Sequence, residues 1–278
     1  MGKILVPVDF SEHSAYALEV AASMAKHSGS EIILLHMMGL SEAVLTKDAA
    51  QEAAEAHYYM KLTRKRFGEF LDKDFLKGVK VHEMVQNYKI FSEINEVALE
   101  TEAELIVMGS HGTSGLSSIF VGSNTEKVVR TAKVPVLVVK KQRPDYRPHR
   151  VVYACDFKVE NLSAYKEAMK FFKRWQTEIH LVYVNLPTEH FKSTEEIEKE
   201  VAMFFKVAHN GKKPAEVNTH VVSDYSIEGG IVYFASSINA DLIAMPTHGR
   251  KGMAHFFKGS IGEDVANRAE IPVITFKV

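Results

Sequence analysis

Residues 101–112 read TEAELIVMGSHG, and residues 238–249 read INADLIAMPTHG. Each holds a short apolar run that ends in a small polar loop carrying His-Gly. The runs LIVM and LIAM do not alternate with polar residues, which is the pattern of a strand buried on both faces. Their surroundings repeat as well. Downstream, TAKVPVLVVKK (131–141) matches RAEIPVITFKV (268–278). Upstream, SEIILLHMM (30–38) matches TEIHLVYVN (177–185), and Asp9-Phe10 matches Asp156-Phe157. The order is the same in both copies, so one domain is written twice. The expected domains are 1–141 and 149–278. The seam between them, KKQRPDYRPHR (140–150), is basic and proline-containing and reads as an exposed linker.

In the first copy KILVPV, EIILLHM, VKVHEMV, AELIVMG and VPVLVV read as strands, nearly unalternating, as strands buried on both faces should be. Helical periods fill residues 14–28, 48–71 and 90–101, and a last helix should run from Ser123 to about Ala132. Ser11 is placed to cap the first helix and Gly29 to end it. The tyrosines and methionine of AEAHYYMKLTRKRFGEFL (54–71) are expected on one apolar helix face. The second copy repeats the rhythm, with its second helix near 193–209. Strands alternating with helices predict a doubly wound α/β fold, a parallel sheet with helices on both faces. The last strands, around 134–139 and 272–276, would each leave an exposed apolar edge. Pairing the two edges removes that hazard and makes the halves an intrachain pseudo-dimer. Whole chains could pair further into a homodimer.

Composition narrows the function. The chain has 278 residues, 46% of them hydrophobic, with 34 Lys plus Arg against 35 Asp plus Glu. A balanced charge argues against a general nucleic-acid binder. No apolar run approaches the ~18 residues of a membrane helix, so no membrane partner is expected. Asp9 and Glu12 interrupt any leader-like core in MGKILVPVDFSEHS. A single cysteine, Cys155, excludes an internal disulfide. These features predict a cytoplasmic protein. Cys155 occupies the strand position of Val8 and reads as a small buried apolar residue.

In an open parallel sheet, ligands bind at the carboxyl ends of the strands, where the strand order reverses. Two loops stand there. One follows strand one and carries Pro7, Val8 and Asp9. The other follows strand four and carries Met108, Gly109, Ser110, His111 and Gly112. Glycines there leave room for a ligand near the backbone and permit positive φ. Gly122-Ser123 then opens a helix, whose free N–H groups and dipole favour phosphate. Ser123 and Thr125 can add hydroxyl donors. The chain carries no GxxxxGK[ST], no GxGxxG after the first strand, and no HExxH or CxxC, so the commoner nucleotide and metal fingerprints are missing. His82-Glu83 begins like a zinc motif, but Gln86 stands where the second histidine would be.

The spacing G-x2-G-x9-G-S, here Gly109, Gly112, Gly122 and Ser123, resembles the nucleotide-binding signature of the universal stress proteins. The resemblance runs through ILVPVDFSEHS, LLHM, the glycine segment and VPVLVVK, and extends over both halves, as in a tandem member. It implies a five-stranded parallel sheet in order 3-2-1-4-5 and pairing of domains through the last strand. It implies ATP or AMP as ligand, with Mg²⁺ as an optional companion, and an unidentified protein partner. By the same resemblance Asp9 would meet the ribose or adenosine end, Met37 the adenine through its backbone, and Gly109 and Gly112 the ribose and phosphates. Gly122, Ser123, Asn124 and Thr125 would hold the phosphate tail. A carboxylate at Asp9 suits ribose hydroxyls, which donate to it, better than a triphosphate.

The second half departs from the pattern at Pro246, which replaces the first glycine. Proline has no N–H and fixes φ. The second half is therefore expected to bind nucleotide weakly or not at all. Its loop adds Arg250, Lys251, His255 and Lys258, basic groups that read as a solvated loop or as an anion attractor. The reading reached is an adenine-nucleotide-binding, stress-responsive regulatory module. A slow ATP hydrolase is the enzymatic alternative, with Asp9 and Ser123 as conceivable metal ligands and no dedicated base. A nucleotide-free scaffold is the other. Plainer roles stand beside the sharp ones. Asp9 can cap a turn, His111 and His248 can be loop residues, and His36 and His180 can be satisfied core or cleft histidines.

Overall fold

The structure is a computed structural model, and it describes residues 2–39, 49–88, 93–110, 123–247, 265–266 and 268–278. The first half runs β1 (Lys3–Val8), α1 (Glu12–Ser28), β2 (Glu31–Gly39), α2 (Ala49–Leu71), β3 (Val81–Tyr88), α3 (Glu93–Glu100), β4 (Ala103–Gly109), α4 (Ser123–Thr131) and β5 (Val136–Val139). The second runs β6 (Arg150–Ala154), α5 (Leu162–Lys173), β7 (Glu178–Asn185), α6 (Thr194–His209), β8 (Val217–Ser223), α7 (Ile227–Ser237), β9 (Leu242–Thr247) and β10 (Val273–Lys277).

The strands form one 10-stranded sheet in the order β3-β2-β1-β4-β5-β10-β9-β6-β7-β8. Each half is parallel and has the order 3-2-1-4-5. The halves meet antiparallel where β10 pairs with β5, Val273 opposite Val138 and Thr275 opposite Val136. The expected pairing of the two apolar edges is thus present within the chain.

Alternation along each strand sorts the core. Ile4, Val6 and Val8 join Leu18, Leu34, Phe67, Val151, Tyr153, Phe172 and Phe276 in one core that passes through both halves. The opposite face divides. Leu5, Ile33 and Met108 pack with α3 and α4, while Val152, Val182 and Met245 pack with α7. Local signals set the helix ends. Ser11 caps α1 by accepting the Ser14 N–H, and Gly29 ends it at φ 69. Ser193 and Glu196 form a reciprocal capping box on α6.

Three expectations need correction. The seam is not simply exposed: Tyr146 is buried, and its hydroxyl donates to the Asp241 carbonyl at 3.3 Å. The Ser23 hydroxyl of α1 donates to the Tyr146 carbonyl at 3.0 Å, so the linker docks on both halves. Tyr58 and Tyr59 are exposed rather than part of the buried face of α2, which among the described side chains is Thr63, Phe67 and Phe70. Neighbouring residues stand about 100° apart on a helix and cannot share a narrow face. Finally, β3 lies at the edge of the sheet, with His82 and Glu83 exposed, so it is not buried on both faces.

Candidate functional site

β1 is the strand at which the order reverses, with β2 on one side and β4 on the other. The register sets Val8 opposite His36 on β2 and Leu5 opposite Ile106 on β4. Three residues on from Leu5 and Ile106, Val8 and Gly109 come level. Asp9, Met37 and Ser110 therefore lie at one height, past the end of β1. Backbone groups alternate sides along β2: the Glu31 N–H donates to the Gly2 carbonyl and the Ile32 N–H to that of Lys80. Counting on by twos turns the Met37 backbone toward β1, whose strand stops at Val8.

The turn after β1 is built by its own residues. Phe10 takes a left-handed φ of 64. The Asp9 Oδ1 accepts the Ser11 N–H at 3.0 Å, and the Ser14 hydroxyl donates to the Ser11 carbonyl at 2.9 Å. Asp9 thus has the turn-capping role weighed from sequence. His36 is a satisfied cleft histidine: its Nδ1–H donates to the Val8 carbonyl at 2.9 Å and its ring lies 4.5 Å from that of Phe10. Burial holds its pKa below the usual histidine value, which keeps it neutral.

β4 ends at Gly109, and the reason for glycine there differs from the one expected. A Cβ would stand 2.7 Å from both the carbonyl carbon and the oxygen of His13. The first turn of α1 lies directly on this residue. Gly109 is also absent from the positive-φ residues of the described chain. It supplies room for a helix rather than an unusual conformation. Ser110 is fully buried, and its N–H donates to the Val139 carbonyl at 2.9 Å. Thr125 is buried and its hydroxyl donates to the Gly109 carbonyl at 2.9 Å, tying the first turn of α4 to the end of β4. Pro7, Val8, Asp9, Met37, Met108, Gly109, Ser110 and Thr125 are therefore brought to one end of the sheet, with Ser123 and Asn124 in the first turn of α4. His111, Gly112 and Gly122 lie outside the described residues, as do His248, Arg250, Lys251, His255 and Lys258.

The second half repeats the frame with different contacts. Phe157 has a left-handed φ of 55, and Asp156 Oδ1 accepts the Lys158 N–H at 3.1 Å. Here the carboxylate is also gripped by Asn161, whose Nδ2 donates to both Oδ1 and Oδ2 at 2.9 Å. Asn161 takes the place of Ser14, a difference that sequence reading passed over. The counterpart of the α1 first turn is a 3-10 turn, Val159–Asn161, and α5 begins only at Leu162 without a side-chain cap. Glu160, the counterpart of His13, lies in that turn, and a proline ring occupies position 246. A cavity of about 560 Å³, lined by Asp156, Asn161 and Pro246 among others, opens at this end. Cys155 is buried as expected, and burial raises its thiol pKa strongly.

An α/β protein with two strand-order reversal points in one sheet is the class defined so far. Comparison narrows it. A sequence model of the universal stress protein family matches residues 1–140 and again 148–277. The chain belongs to the universal stress protein family, as two copies of its domain. It is 31% identical over 153 residues to one universal stress protein of Methanocaldococcus jannaschii, covering 51% of this chain and 84% of that protein. It is 32% identical over 154 residues to another from the same organism, covering 50% of this chain and 95% of that protein. A solved universal stress protein from Archaeoglobus fulgidus shares the fold over 99% of this chain and 96% of its own, with a TM-score of 0.66 at 24% identity. No helix among the described residues is long and apolar enough to cross a membrane.

Proposed function

We propose that the N-terminal half binds an adenine nucleotide, ATP or AMP, and that the protein acts as a regulatory binding module whose nucleotide state biases a protein partner. One observation carries most of the weight. The ends of β1 and β4, adjacent at the reversal point, place Asp9 beside Gly109 and Ser110, and Thr125 ties the start of α4 to the same spot. A carboxylate for ribose hydroxyls and a helix N-terminus for phosphate then stand at the same end of the sheet. Mg²⁺ would enter with the phosphates of ATP. The C-terminal half is read as a poor nucleotide site. Pro246 stands at the glycine position, and Asp156 already holds Asn161 with both oxygens.

Chromatography of the nucleotide released on denaturing the purified protein tests the reading. Adenine nucleotide should be recovered at up to about one per chain and be lost from Asp9→Ala. Protein that arrives empty and binds neither ATP nor AMP would refute it.

A further inference from the structure

The cavity of the C-terminal half has a chemistry of its own. Its volume, about 560 Å³, lies within the range of small-molecule sites. Val182, Val184, Ile231, Met245 and Pro246 line it with aliphatic groups. Two aromatic rings border it: half-buried Tyr183, and Phe191, which is 63% exposed.

Most polar groups around it are engaged inside the protein, the exception being the Asn161 Oδ1, which is buried without a partner. Asp156 accepts from Asn161 through both oxygens and from the Lys158 N–H. Lys192 Nζ donates to Glu200 at 2.6 and 2.7 Å and stands 5.5 Å over the Tyr183 ring. A sugar diol at Asp156 would compete with the Asn161 bonds, and an amide displaced from them would lose its donor partners, a cost no apolar guest incurs. In the N-terminal half Ser14 stands at that position, and its hydroxyl bonds to the Ser11 carbonyl instead.

We propose that the C-terminal cleft is a second, separate binding site for an apolar small molecule with an aromatic body and no vicinal diol. Aliphatic walls bury the body, and the exposed Phe191 ring borders it, while Lys192 already stands over the Tyr183 ring. This goes beyond the nucleotide reading of the N-terminal half and does not depend on it.

The probe is 1-anilinonaphthalene-8-sulfonate, titrated into the full chain and followed by its fluorescence. One saturable site per chain is expected, and saturating Mg·ATP should leave the dye in place. Ala154→Phe, at a half-buried position on the wall, fills the cavity and should weaken the dye by about tenfold or more, equivalent to one decade in Kd. Leu186→Glu, half-buried at the same cavity, gives a second route to the same loss should the phenylalanine disturb folding. Circular dichroism checks that each variant is folded. Dye that fails to saturate at one per chain, that binds both folded variants as well as the parent, or that ATP displaces overturns the proposal.

Discussion

Asp9 serves the turn and, in this account, the ligand, and the two roles separate by substitution. Asp9→Ala removes the acceptor for the Ser11 N–H and should cost about 1 kcal/mol in urea unfolding. It should also weaken ATP by about ten- to a hundredfold, the loss of a charge-assisted hydrogen bond. Asp9→Asn keeps an acceptor oxygen and should recover most of the stability while remaining the weaker binder. Gly109→Ala is a packing experiment. Its Cβ would press on the His13 backbone, and about 1–3 kcal/mol of destabilisation is expected from equilibrium unfolding. Sequence alone marked both residues. It found Asp9 by its place after a buried strand, and Gly109 by its spacing to Gly112 and Gly122. It could not find that α1 lies on Gly109, because that contact joins residues 13 and 109 across the fold. Asn161 was missed for the same reason: its significance lies in a bidentate grip on Asp156 that exists only once the 3-10 turn has formed.

Helices and central strands were legible because their signals are local. Ser11 and Gly29 bracket α1, and the unbroken apolar runs of β1 and β4 read correctly as interior strands. Edge position is not local, which is why β3 was read as more buried than it is. The opposite edge carries a pair with a consequence for pH. On β7 and β8, His180 Nδ1 lies 2.9 Å from His220 Nε2, with the rings stacked at 5.0 Å. The Glu178 carboxylate sits 3.1 Å from His180 Nε2, Phe234 of α7 covers the His220 ring, and Lys213 adds positive charge. Burial, then His180, then Lys213, push the pKa of His220 down, and burial does the same for His36. A histidine whose folded pKa lies below its unfolded value of about 6.5 binds fewer protons when native. Its contribution is complete above that pH and is lost as pH falls toward the folded value. Stability should therefore be flat from about pH 7 to 8 and decline below about 6.5, and His220→Gln should flatten part of that decline. A urea midpoint unchanged down to pH 5 would contradict this.

At the scale of the molecule, the two halves share a sheet and a core, and the linker belongs to both. His27 of α1 stacks on Trp175 at 5.1 Å, Arg174 pairs with Glu104, and Lys277 Nζ donates to the Arg130 carbonyl at 3.0 Å. Tyr146 is the buried anchor of the seam. Tyr146→Ala should cost about 3 kcal/mol through lost packing, and Tyr146→Phe about 1 kcal/mol through the hydrogen bond to Asp241. Both should unfold in one cooperative transition, since the core spans the halves. The duplication made the pseudo-dimer readable from sequence, but composition alone made the linker look free. The most direct test of the central claim is calorimetric titration of Mg·ATP into nucleotide-free protein, with the stoichiometry as readout. The account predicts one site per chain, abolished by Asp9→Ala and untouched by Asp156→Ala, each in folded protein. Two sites, or one that survives Asp9→Ala and falls with Asp156→Ala, would contradict it.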